Sequence, residues 1–257
     1  MYSRPRIIPC LLIDKGDLVK TVNFKKPNYL GDPINAVKIF NEKEVDELCV
    51  LDISSYKAEK KINFDLLKTV ASQAFMPMSY GGGVHTAEDA RQLYRLGFEK
   101  VIFNSALFEE PHEVRKTVEY AGSQSVVASI DVKKSLLGKY SCYIRCGTKR
   151  INLNFEEALK HIFSLGIGEI LINSIDRDGL MQGYDVELIH KVTENAGIPI
   201  IACGGAGKID DLKDALHNGG AHAVAAGSIF VYYGNKKAVL INFPSESELI
   251  SAGIYDR

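Results

Sequence analysis

The chain has 257 residues, 46% of them hydrophobic, with 31 basic and 32 acidic side chains and a formal net charge of −1. That balance provides no global field to recruit nucleic acid or an anionic membrane, so any bound anion must be held locally. The opening apolar run Ile7–Ile13 is short, contains Pro9 and meets Asp14 and Lys15 at once, which reads as a buried strand and not a leader. No segment approaches the roughly 20 apolar residues of a membrane helix.

In chain order, β-branched runs predict strands at Arg6–Leu12, Glu47–Ile53, Met76–Tyr80, Lys100–Asn104, Ser125–Asp131, Glu169–Ser174, Pro199–Cys203 and Ala221–Ala226. Between them fall amphipathic stretches of helical length at Ile34–Lys43, Phe64–Gln73, Ala87–Leu96, Glu156–Leu165, Asp185–Asn195 and Ile209–Asn218. Thr86 with Asp89, and Asn154 with Glu157, have the spacing of capping boxes. Strands apolar on both faces and separated by helices predict a parallel sheet covered on both sides. Eight such units in a chain of about 250 residues predict an α/β fold, the (β/α)8 TIM barrel, as a single domain over residues 1–257.

An internal repeat sharpens this expectation. The series Gly31-Asp32-Pro33, Asp46-Glu47-Leu48, Pro77 to Gly83 and Lys100 to Ser105 is followed, about 120 residues on, by Asn154-Phe155-Glu156, Gly168 to Ser174, Pro199 to Gly205 and Ala223 to Ser228. A period this long excludes short solenoid repeats and predicts two duplicated half-barrels, about residues 1–120 and 121–257.

Reactive groups of such a barrel lie at the strand C-termini. Gly82 and Gly83 follow strand three, Asn104 and Ser105 end strand four, Gly204 and Gly205 follow strand seven, and Gly227 and Ser228 end strand eight. Glycine lets backbone amides approach a phosphate, and a hydroxyl adds a donor. One such loop is equally well explained as a tight turn, but the paired occurrence predicts a bis-phosphate site. Asp131 ends strand five and is suited to proton transfer, or alternatively to a cap or an ion pair with Lys133. Asp178 and Gly179 follow strand six as substrate contacts or a plain turn, and Lys20 lies in the loop after strand one, where a solvated lysine is the ordinary alternative.

The opposite face carries another group. Arg6, Glu47, Lys100 and Glu169 begin strands one, two, four and six. Two cations and two anions converging there can form a neutral ring of ion pairs, a gate or docking surface, although charged strand starts also occur simply because that face meets water. The six histidines compose no catalytic triad; only His85 lies near a loop of the reactive face. The five cysteines read as free thiols, most of them buried, in a reducing cytoplasm. The Cys142 to Cys146 spacing is a poor match to metal ligation, and neither metal nor cofactor is expected.

These residues resemble a known family. Arg6 to Leu11, Val22 to Lys25, Tyr80 to Gly83, Gly122 to Gln124, Asp176 to Gly179, Gly183 to Asp185 and Gly204 to Gly207 are similar to HisF, the cyclase subunit of imidazole glycerol phosphate synthase. The resemblance implies a lyase of histidine biosynthesis: a HisH glutaminase docks at the barrel's bottom, ammonia passes up the axis, and an imidazole ring closes on a bis-phosphate ribonucleotide at the top. It also implies that Arg6, Glu47, Lys100 and Glu169 are the ammonia gate, and that Lys20 and the phosphate loops hold substrate. The family's chemistry uses two aspartates, ending strands one and five. Here the second is Asp131, but the first position is Leu12, which can neither accept nor donate a proton. Asp14 has the same strand parity, and replacing the missing group with it requires the strand to run past its usual end.

The departure has its own resemblance. Pro9 to Leu12, Leu18 to Val22, Gly31 to Leu48 and Ala238 to Pro244 are similar to the HisF-like copies of surface-polysaccharide gene clusters, the WbuZ type. That likeness implies a barrel that accepts ammonia from a HisH-like glutaminase and passes it to an N-acetyl sugar amidotransferase, a role that needs the channel but not the aspartate pair. The histidine-pathway cyclase is the alternative.

Overall fold

The computed structural model describes residues 4–54, 61–234 and 236–256. Eight parallel strands close on one another: β1 (Arg6–Asp14), β2 (Leu48–Asp52), β3 (Met78–Gly81), β4 (Lys100–Phe103), β5 (Val126–Lys134), β6 (Glu169–Ser174), β7 (Ile200–Cys203) and β8 (Ala223–Ala226). Each pairs with its sequence neighbour, and β8 returns to β1 with Arg6 opposite Ala223. Closure leaves no barrel edge to pair with another chain.

Side-chain alternation sorts the strands into two cores. One set of residues, including Ile7, Val50, Tyr80, Val101, Ile130, Ile172 and Val224, packs outward against the helices. The other set, Ile8, Cys10, Cys49, Ile102, Val127, Leu171, Ile201, Cys203, Ala223 and Ala225, fills the barrel, with Leu12 and Leu51 packed on top. The runs are apolar throughout because both sets are buried.

The covering helices begin where the sequence sets their caps. Asp32 accepts from the Ile34 amide ahead of α1 (Pro33–Glu42), whose proline occupies a position that needs no donor. The two expected capping boxes are formed, Thr86 with Asp89 at α2 (Ala87–Arg95) and Asn154 with Glu157 at α3 (Phe155–Phe163). A helix at Pro111–Ala121 covers the barrel between β4 and β5.

Two strands run past their expected ends. β1 continues two residues beyond Leu12 to Asp14, and β5 three residues beyond Asp131 to Lys134. Each leads into an antiparallel excursion above the barrel, Asp17–Val22 with Lys25–Gly31 and Tyr140–Ile144 with Lys149–Arg150. The reason after β1 is the two-residue turn Lys15-Gly16, both at positive φ, which reverses the chain and pairs Asp14 with Asp17. Lys20 therefore lies on a strand, not in a loop.

Candidate functional site at the upper mouth

At the C-terminal ends of the strands opens a cavity of about 620 Å³, within the range of small-molecule sites. Asp131, Leu12, Lys20, Gly82, Gly83, Asn104, Ser105, Asp178, Gly179, Gly204, Gly205, Gly227 and Ser228 all line it. Strand parity brings these separated residues together: Leu12 is inward on β1, in register with Leu51 of β2, and Asp131 is inward on β5, in register with Asn173 of β6.

Asp131 is 6% exposed and accepts a hydrogen bond from Asn104 Nδ2 at 3.1 Å. Burial pushes its carboxyl up to about 7, the Asn104 hydrogen bond pulls the other way, and the negative charge of Asp178 adds to the rise. A carboxyl so placed holds or releases a proton near neutral pH. Across the mouth, Leu12 offers no partner for that chemistry. Asp14 lines the same cavity, two residues further along β1, and its Oδ1 is buried without a partner.

Lys20 is not a surface lysine. It is 7% exposed, its ammonium lies 2.7 Å from Asp178 Oδ1 and donates to the Thr21 carbonyl at 3.2 Å. Asp178 Oδ2 accepts from Thr21 Oγ1 at 2.8 Å and from the Phe24 amide at 3.2 Å. The Asp178 carboxylate thus ties the hairpin after β1 to the loop after β6, a fastening that sequence inspection does not reveal because its partners lie more than 150 positions away along the chain.

The glycines are required by space as well as by φ. At Gly82, φ +118°, a Cβ would lie 2.2 Å from the Asp52 carbonyl oxygen, and at Gly205, φ +123°, 2.2 Å from that of Gly183. Beside Gly227 the Lys20 stem is so close that a Cβ would meet Cε at 3.2 Å. Ser105 Oγ accepts from the Arg145 amide at 3.2 Å, whereas the buried Ser228 Oγ has no partner.

At the barrel's bottom the four charged strand starts are connected. Arg6 bonds both Glu47 and Glu169, and Lys100 Nζ lies 2.9 Å from each of the same two carboxylates. Burial works against the Arg6 charge, but Glu47 and Glu169 outweigh it and hold the guanidinium pKa above its ordinary value. Above the ring is a void of about 10 Å³ lined by Glu47, Cys49 and Ser79 among apolar side chains, about the volume one water-sized molecule needs. Between this void and the upper cavity lies a layer of thiols, Cys10 with Cys49 at 3.9 Å and with Cys203. Cys10, Cys49, Cys142 and Cys203 are free and buried, and Cys146 is half-buried. Among the described residues no group of three His, Cys, Asp or Glu is placed to hold a metal ion, and no helix is long and apolar enough to cross a membrane.

The family model described as "Histidine biosynthesis protein" matches residues 6–237. A relative from Leptospira interrogans, named provisionally as imidazole glycerol phosphate synthase subunit HisF, is 48% identical over 95% of this chain and 97% of its own length. The chain belongs to the HisF family. A second provisionally named relative, subunit hisF2 of Pseudomonas aeruginosa, is 47% identical over 96% of this chain and 98% of itself. The subunit HisF of Alkaliphilus metalliredigens is 39% identical, over 88% and 90%. Within this HisF-like barrel the residues that sequence inspection missed at the mouth include Thr21, Arg145 and Asn173. Asn173 was accessible in principle, since it shares the parity of Glu169 and Leu171 on a strand already expected.

Proposed function

We propose that this HisF-like chain is the ammonia-conducting subunit of a glutamine-dependent amidation system. A HisH-like glutaminase docks at the bottom face, ammonia enters through Arg6, Glu47, Lys100 and Glu169, and an N-acetyl sugar amidotransferase of cytoplasmic surface-polysaccharide synthesis receives it at the top. The observation that carries this reading is the conjunction of a fully paired bottom ring with a leucine at the inward end of β1. The molecule-sized void above the ring and the uncharged thiol and aliphatic interior favour passage of a neutral species over an ion. The glycine loops lining the mouth, with the Lys20 stem beside Gly227, support phosphate binding there.

The histidine-pathway cyclase is the second reading, favoured by Asp131 with its carboxyl near 7 and by the retained loops. The test is isotopic. With a HisH-like glutaminase, amide-15N glutamine and excess unlabelled ammonium, the amidated sugar is expected to carry undiluted 15N, and Lys100→Ala to lose that enrichment. Full dilution by bulk ammonium in the wild type would overturn the reading.

A further inference from the structure

The near-neutral total charge hides a segregation. Three hairpins follow strand C-termini: the two after β1 and β5, and a third after β8, Tyr232–Tyr233 with Ala238–Val239, which meets the first where Asn28 Nδ2 donates to Tyr232 Oη at 3.3 Å. Residues 15–31, 133–150 and 232–240, which contain them, hold twelve basic side chains and one acidic, Asp17, so the other residues hold nineteen basic and thirty-one acidic. Lys25, Lys26 and Arg145 also line the cavity, so this basic surface runs into the mouth.

The same segments carry most of the exposed apolar surface. Among the described residues ten large apolar side chains are exposed, and seven lie here, including Tyr29, Leu136, Leu137, Tyr233, Val239 and Leu240. Leu136 and Leu137, 107% and 87% exposed, stand at the centre of a closed turn, with the Ser135 amide donating to the Lys139 carbonyl at 2.8 Å and the Gly138 amide to the Ser135 carbonyl at 2.9 Å. That turn requires Gly138 at φ +78°, but asks nothing apolar of its two central positions, which polar residues ordinarily take. Neither leucine belongs to either core. Lys133, Lys134 and Lys139 flank the tip, and of the three only Lys134 has an ion-pair partner among the described residues, Glu187 at 2.6 Å.

We propose that the three hairpins are the docking surface for the sugar amidotransferase, which seats an acidic surface on them and takes the Leu136–Leu137 tip into an apolar pocket. An apolar centre within a charged rim is the anatomy of a protein interface. Charge complementarity requires the partner's contact surface to be net negative, and opposite charges also speed encounter. β1 and β5 stand four strands apart in a ring of eight, so a partner resting on both of their hairpins covers the mouth between them. An acceptor of ammonia needs that cover, because ammonia released to water is diluted and protonated. Apolar side chains on both sides of a concave mouth fit a shaped protein surface better than a flat lipid one. This deepens the ammonia-delivery reading and rests on it for the identity of the partner.

The test is analytical ultracentrifugation of the purified chain with the sugar amidotransferase used in the isotopic assay. A complex is expected, weakening about tenfold or more as salt is raised from about 0.05 to 0.5 M. Leu136→Ser/Leu137→Ser and, separately, Lys133→Glu/Lys139→Glu should each weaken it at least about tenfold, whereas Phe75→Ser, 90% exposed but outside the hairpins, should not. No complex, a complex indifferent to both hairpin variants, or one lost equally in Phe75→Ser would overturn the proposal, as would sedimentation of the chain with phosphatidylglycerol vesicles in place of the acceptor. The charge variant keeps the test standing if the leucine variant fails to fold. Undiluted 15N that survives both hairpin variants would sink this docking alone; a complex lost in those variants, beside fully diluted 15N in the wild type, would sink the delivery reading alone.

Discussion

Asp131 and Leu12 occupy the same position in the two halves of the sequence, and their chemistry diverges completely. Asp131 is buried with its carboxyl near 7, against about 3.9 in an unfolded chain. Below about pH 4 both states hold the proton and the residue has no effect on stability. Between about 4 and 7 the unfolded chain releases its proton first, so stability falls as pH rises, and above 7 the full penalty applies. Asp131→Asn should therefore be more stable than wild type at pH 8, by on the order of 2–4 kcal/mol, with the difference vanishing at pH 4 in urea denaturation. A constant difference across that range would contradict the assignment. Lys20 is the opposite case, since its partner Asp178 would be left as a buried charge. Lys20→Met should cost about 3–5 kcal/mol, with Lys20→Met/Asp178→Asn recovering a substantial part. Additive costs in that double-mutant cycle would show that the pair is not coupled. At this scale the sequence made the residue types legible, Asp131 and the missing carboxylate above all. It did not reveal the burial of Lys20, because burial depends on the hairpin that carries it.

The elements were legible where a local signal exists. Thr86 and Asn154 mark helix starts through capping geometry, and eight apolar runs mark eight strands because each is buried on both faces. Strand ends were less legible. β1 and β5 continue upward because of their turns, and periodicity says nothing of a reversal held by Lys15 and Gly16 at positive φ. The hairpin after β1 needs a further anchor, Asp178, 158 positions from Lys20. The glycine loops divide by the space around them. Gly82→Ala sets a Cβ against the Asp52 carbonyl, whereas Gly97→Ala, also at positive φ, meets open space. Gly82→Ala is expected to lower stability by about 2–3 kcal/mol more than Gly97→Ala, read as a shift in denaturation midpoint. Equal losses would mean that backbone conformation alone, and not the close approach to β2, fixes that glycine.

The whole molecule presents two faces joined by the interior of one barrel. At the bottom, Glu47 and Lys100 are half of a neutral ring whose members contact one another across β1, β2, β4 and β6. At the top, the cavity keeps one poised carboxyl, Asp131, and has an aliphatic wall of Leu12 and Leu51 facing it. On the reading proposed above, this division serves transport of ammonia to a changed destination, and not ring closure by two facing carboxylates. The measurement that tests this claim most directly is turnover of the cyclase substrate by the purified chain with a saturating ammonium salt, beside the Leu12→Asp variant. The account predicts wild-type turnover at least about 10³-fold below a two-aspartate HisF, as loss of an essential general acid or base produces, with a measurable gain in Leu12→Asp. Wild-type turnover equal to that of a two-aspartate HisF would contradict it.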